Sequence, residues 1–343
     1  MNTNKQKNNG CLWFILFGAF SLFGWVFLEV VLKLPRKPSV IIGLVVTGFL
    51  LVRLVGRPSW KSIFTNLVVI SVIFYGLKFI GSYFLETLKI DLEETNFKVE
   101  EGVALSTLVE ESDTISVYSS HRIWRDNYGN DYFGDFMVRE RDFIDLREHI
   151  LQYRPSGKGN FWGGLYEYIE KKDGPYLDLV MNTFQEIHSK KRLNQMEFAE
   201  MVVSCIQDIP YSFIFQDECQ EAHMYEPSIK RILEDCPDCC MGNVPYGIQN
   251  PVAFLQNLKG DCDTRTVLIY SVLKHFNYDV AILNSSHYRH SILGINLPSK
   301  GLSKLYRGKK YVVWETTAKY YEAGSLPSNF NDISYWDVVL TSK

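Results

Sequence analysis

The stretch Gly260-Asp261-Cys262-Asp263-Thr264-Arg265 opens an amphipathic helical segment, and His290 and then Glu315 follow in strand-like segments. A cysteine at a helix start, a histidine and a carboxylate are the parts a thiol nucleophile requires. The positive end of the helix and a nearby imidazolium both stabilise thiolate. The histidine takes up and returns the proton, and the carboxylate orients it. This chemistry needs no cofactor and no metal.

The elements that would position these groups can be read from hydrophobic spacing. Residues 262–276 form a helix whose Ile269, Val272, Leu273 and Phe276 face inward. Strand-like runs follow at 279–283, 290–297, 310–316 and 333–340. The loop between the second and third of these is rich in Pro, Ser, Gly and Lys, which suits an antiparallel hairpin. Placing its midpoint near Gly301 sets His290 directly opposite Glu315, and directly opposed residues share a face with β-carbons about 5 Å apart. His287 is a competing base, but it sits in a polar loop, whereas His290 begins the alternating strand. The backbone N–H of Cys262 is a natural oxyanion donor, and Gln207 and Tyr211 are side-chain candidates for the same role. Asp261 and Asp263 are expected to cap the helix and point away from sulfur, because acids beside a thiolate raise its pKa. Arg265 would offset them.

Upstream, 114–125 and 132–139 read as strands joined through the turn sequence Asn127-Tyr128-Gly129-Asn130. A helix starts near Asp142, and Leu177, Val180, Met181, Phe184 and Ile187 mark the apolar face of another. Asn194 and Glu197 have capping-box spacing before a helix that buries Phe198, Met201, Val202 and Cys205 and stops at Pro210. A further short helix runs over 251–258. Helices packed behind antiparallel strands predict an α+β fold.

The N-terminal quarter differs in composition. Apolar runs over 12–32, 40–55 and 63–85 predict about three transmembrane helices, with two as the alternative. The basic residues favour the N-terminus inside, which makes the chain an integral membrane protein with its catalytic domain on the extracytoplasmic side. The expected domains are a membrane region at 1–85, an acidic stalk at 86–113, a small β-rich unit at 114–160 and a catalytic domain at 161–343. Beyond residue 85 the chain has 27 basic and 38 acidic residues, a balance that argues against nucleic acid as a partner. A lipid bilayer and a protein or peptide substrate are the expected partners. Cys236-Pro-Asp-Cys239-Cys240 allows three readings: a disulfide with Cys219, free thiols, or half of a metal site in which His223 and Cys219 are the nearby ligands.

Residues 196–339 resemble the transglutaminase-like superfamily, a permuted relative of the papain-type cysteine fold. Leu258-Lys-Gly-Asp-Cys-Asp-Thr-Arg265 matches its nucleophile motif, His290-Ser-Ile-Leu-Gly-Ile its histidine strand, and Val312-Val-Trp-Glu-Thr-Thr317 its acidic position. Cys205-Ile-Gln-Asp-Ile-Pro-Tyr211 is similar to a segment that bacterial members place upstream. The resemblance implies a catalytic set of Cys262, His290 and Glu315, on a helix bundle whose Cys-bearing core helix packs on an antiparallel sheet. It also implies cleavage of a peptide or amide bond through a cysteine thioester. Transfer to an amine acceptor, and a binding or sensory module that only retains the fold, are the alternatives.

Overall fold

A computed structural model of the chain describes residues 36–54 and 102–343, apart from 156 and 158, with a few single positions between 16 and 78. The chain divides into two compact units, Met1–Asn96 and Phe97–Lys343.

In the first unit, α1 spans Arg36–Leu54. Pro38 lies in its first turn, where a missing backbone N–H removes no helical bond. Arg36, Lys37 and Arg53 bracket the apolar stretch 40–52, which at 1.5 Å per residue runs about 20 Å, short of a hydrocarbon core of about 30 Å. Among the described residues no helix is long and apolar enough to cross a membrane. This overturns the expected fold class, an α+β chain led by transmembrane helices, and the integral membrane location that followed from it. The runs over 12–32 and 63–85, but for single positions, and the first part of the stalk, 86–101, lie outside the described residues.

The second unit opens with β1 (Ala104–Glu110), β2 (Asp113–Arg125) and β3 (Asp131–Arg139), an antiparallel sheet in that order. Part of the stretch read as stalk is therefore the edge strand β1. The β2–β3 turn is held by the Asp126 carboxylate, which accepts bonds from Tyr128 N (2.9 Å), Asn130 N (2.8 Å) and the Tyr132 hydroxyl (3.0 Å). Four helices follow: α2 (Glu140–Leu146), α3 (Phe161–Asp173), α4 (Asp178–Lys191) and α5 (Gln195–Asp208). The α5 start is a complete capping box, with Asn194 accepting from Glu197 N and the Glu197 carboxylate accepting from Asn194 N.

The chain then makes an excursion through β4 (Phe213–Ile214), α6 (Pro227–Asp235) and β5 (Cys240–Met241), with β4 and β5 paired in parallel. Cys219 bonds to Cys240 and Cys236 to Cys239. This pairing uses all four cysteines as disulfides and leaves none of them for a metal. The longer closure, 21 residues in sequence, stabilises by about 3 kcal/mol in the chain-entropy picture.

Next come α7 (Pro251–Asn257), α8 (Cys262–His275), β6 (Val280–Ser285), β7 (His290–Ile295), β8 (Ser303–Tyr306), β9 (Lys309–Trp314) and β10 (Asp337–Thr341). The five strands form one antiparallel sheet in the order β10-β6-β7-β9-β8. Both faces are covered. Ile282, Leu293, Ile295, Val312 and Trp314 join the main core with α5 and α8. Ala281, Leu283, Ile292, Tyr311 and Val313 pack under Leu326 and Trp336.

The loop expected between the histidine and glutamate strands carries β8, which turns into β9 through Arg307 and Gly308, both left-handed. The extra strand changes the register. Leu293 pairs with Trp314 and Ile295 with Val312, so continuing the ladder sets Ile292, not His290, opposite Glu315. His290 lies one diagonal step along the same face, still within reach of a long side chain.

Candidate active site

The turn that leads into Cys262 is built by three local devices. Leu258 ends α7 in the left-handed region at φ 55°. Gly260 is a glycine for lack of room: a Cβ there would stand 2.8 Å from the Phe254 ring and 3.0 Å from the Thr264 methyl. Asp261 then caps α8, accepting from Thr264 N at 3.0 Å. Cys262 follows as the first helical residue, 8% exposed.

β7 meets this turn with two successive residues. Ser291, fully buried, faces Cys262 and Asp263. His290 turns its Nε2 to Glu315 Oε2 at 2.9 Å, which leaves Nδ1 as the nitrogen for proton exchange. Among the described residues no hydrogen bond joins His290 to the Cys262 thiol. Glu315 is 1% exposed and saturated on its other oxygen, which accepts from Thr316 N (2.9 Å), Thr317 N (2.8 Å) and Thr317 Oγ1 (2.6 Å). Phe330 and Trp336 flank the imidazole, with ring centroids at 5.2 and 6.0 Å.

Electrostatics divide the site. Burial would raise the Glu315 carboxyl, but the His290 bond and charge, aided by Thr317, bring it below its ordinary value. Burial would lower the His290 imidazole, and Glu315 more than reverses this, with Asp263 and Asp261 adding to the rise. The thiol goes the other way: burial, then Asp263 and Asp261, push Cys262 well up. Burial and Asp263 push Asp261 up to about 7. Burial also raises Asp263, against the hydrogen bond from Tyr166 and the nearby Ser291 hydroxyl. The acids thus stay near sulfur, with the ligand atoms of Asp261, Cys262 and Asp263 all within 4.8 Å of one another. A metal ion could bridge that spacing, but the positive end of α8 opposes one there.

The remaining sequence candidates fall in different places. Gln207 is buried and donates its amide nitrogen to Glu315 O (2.7 Å) and Tyr321 O (3.1 Å). It is engaged in holding the glutamate segment instead of facing an oxyanion. Tyr211 lies within the electrostatic reach of Cys262, and burial raises its hydroxyl. His287 is exposed and stacks on Tyr335 at 4.1 Å, clear of the Glu315 pair.

Three residues of the site have no mark in the sequence. Tyr166 from α3 donates to Asp263 at 2.7 Å and accepts from Asn284 at 2.7 Å. Asn284 pairs with Ser291 across β6 and β7. The i, i+4 and i+7 spacing of Trp162, Tyr166 and Ile169 after the cap Asn160 marks a helix, but nothing local points Tyr166 to a residue 97 positions away. No family model matches the chain, and no curated protein or solved structure matches it.

Proposed function

We propose that the chain is a cysteine hydrolase of the transglutaminase-like type, cleaving a peptide or amide bond through a Cys262 thioester. The observation that carries the reading is the buried His290–Glu315 pair, 2.9 Å apart, whose histidine heads the strand that also meets the turn before Cys262. The chain order of cysteine at a helix start, histidine at a strand head and glutamate just beyond β9 supports the same reading.

Burial and the two aspartates keep the thiol protonated at rest, so its ionisation accompanies attack. Cys262 Sγ bonds to the substrate carbonyl carbon while its proton passes to His290 Nδ1. The oxyanion meets the Cys262 N–H at the positive end of α8, with the Tyr211 hydroxyl as second donor. Collapse breaks the C–N bond, and His290 returns the proton to the departing amine. Water then attacks the thioester, giving its proton to His290, and the C–S bond breaks as His290 returns that proton to sulfur, releasing the acid and the Cys262 thiol. An amine in place of water would give transfer by the same steps.

The test is acylation of the full chain by p-nitrophenyl acetate, followed by mass spectrometry. The expected result is a transient acetyl group on Cys262, absent in Cys262→Ala and formed about 100-fold or more slowly in His290→Ala. An unmodified Cys262 would remove the hydrolase reading and favour a binding module.

A further inference from the structure

Arg265 is a buried charge to which the steps above assign no part. It lies in the first turn of α8, three residues after Cys262, and is 0% exposed. Its guanidinium donates to three backbone carbonyls: Gly260 O at 2.8 Å, Ile206 O at 2.9 Å and Pro210 O. It also lies over the Tyr211 ring at 5.6 Å. Among the described residues no carboxylate makes an ion pair with it.

Two local rules argue against a cation here. The positive end of a helix repels it, and a buried charge without a paired counterion is strongly unfavourable. A neutral amide could hold backbone carbonyls without either penalty. Burial draws the guanidinium down to about 10, and Tyr211, Asp261, Glu315 and Cys262 offset this only in part, which still leaves it charged in the neutral range.

We propose that Arg265 is a positioning residue for Cys262: a positive charge across the neutral range, fixed by three carbonyls, that holds down the free energy of the thiolate beside two aspartates. The proposal rests on the reading of Cys262 as nucleophile. The groups facing the thiol are Asp261 and Asp263 from its own turn, Tyr166 from α3, Tyr211 after α5, and Ser291 and His290 from β7, with Glu315 behind His290. Of these and Arg265, only Arg265 stays positive across the neutral range. By bonding Gly260 O and Pro210 O it also fixes the turn before the nucleophile against the segment that carries Tyr211.

The experiment follows iodoacetamide alkylation of Cys262 against pH in the full chain, with the melting temperature measured alongside. Arg265→Met should move the apparent thiol pKa up by about one unit or more, a loss of about tenfold in rate at neutral pH. Arg265→Lys keeps the charge but cannot make the three-way fork, so it should melt earlier while the thiol titrates close to wild type. An unmoved profile in Arg265→Met, or a thiol pKa in Arg265→Lys that rises along with the loss of stability, overturns the proposal. If Arg265→Met does not fold, the Lys variant alone decides. A Cys262 that alkylates normally but never forms the acetyl adduct defeats the hydrolase reading and leaves the Arg265 comparison intact.

Discussion

The two halves of the site are both buried, yet burial ends in opposite protonation states. Around Glu315 the chain supplies four hydrogen bonds, three from the Thr316-Thr317 corner and one from His290. The carboxyl falls below its ordinary value and the imidazole rises above its own. Around Cys262 the neighbours are two carboxylates and Ser291, and the thiol rises instead. Burial therefore sets the size of the electrostatic stakes, while the partners decide the sign. The carboxyl of Glu315 is held charged; the thiol of Cys262 is held neutral.

The sharpest way to break this contrast is to disarm the histidine–glutamate half. Glu315→Gln removes the counterion of a charged His290 and should lower stability by about 3 kcal/mol between pH 4.5 and 6.5, where the wild-type imidazole is charged. Burial, the largest influence on His290, would then face only Asp263 and Asp261, so its pKa should fall. Thermal melts and an NMR titration of the His290 ring check both effects, and a His290 pKa that stays raised would show that the pair does not set it.

Asp263→Asn moves the other half in the opposite direction. It removes the like charge that, after burial, does most to raise the thiol, while the amide oxygen can still accept from Tyr166. Alkylation of Cys262 at neutral pH should become several-fold to about tenfold faster. An unchanged rate would mean that the aspartate does not restrain the sulfur.

The smallest effect is on stability against pH. Glu315, lowered from 4.5, contributes stability present above pH 4.5 and lost as pH falls through its lowered value. His290, raised from 6.5, contributes stability present below pH 6.5 and lost as pH rises through its raised value. The contribution of the pair is thus complete between pH 4.5 and 6.5. The difference in melting temperature between wild type and Glu315→Gln should be widest in that window and shrink on either side. A difference that is flat with pH would separate the pair from its charges.

What the sequence determined by itself is local. Asn194 and Glu197 announce the α5 capping box because a helix start is closed by residues three apart. The α4 stripe of Val180, Met181, Phe184 and Ile187 is buried as its spacing predicts, because side chains three and four apart share a helix face. Asp261 was legible as the cap of α8 for the same reason. The His290 strand and the Lys309–Trp314 strand were legible from alternation and residue type, but their register was not. A single strand, β8, inserted in the connecting loop, shifts the pairing by a full diagonal step.

Everything else that defines the site was decided by tertiary structure. Tyr166 reaches Asp263, Gln207 turns away to the carbonyls of Glu315 and Tyr321, and Arg265 ties together Gly260, Ile206 and Pro210. The pairing of Cys219 with Cys240 and of Cys236 with Cys239 follows from where β4, α6 and β5 place them, a choice that spacing left open. The ends of the described N-terminal helix also come from the structure, which sets α1 at Arg36–Leu54, and no helix among the described residues is long and apolar enough to cross a membrane. The physical reason is common to all of these. Caps and stripes depend on neighbours within a turn, whereas a side chain's protonation and hydrogen-bond partners depend on groups that only packing brings within a few ångströms.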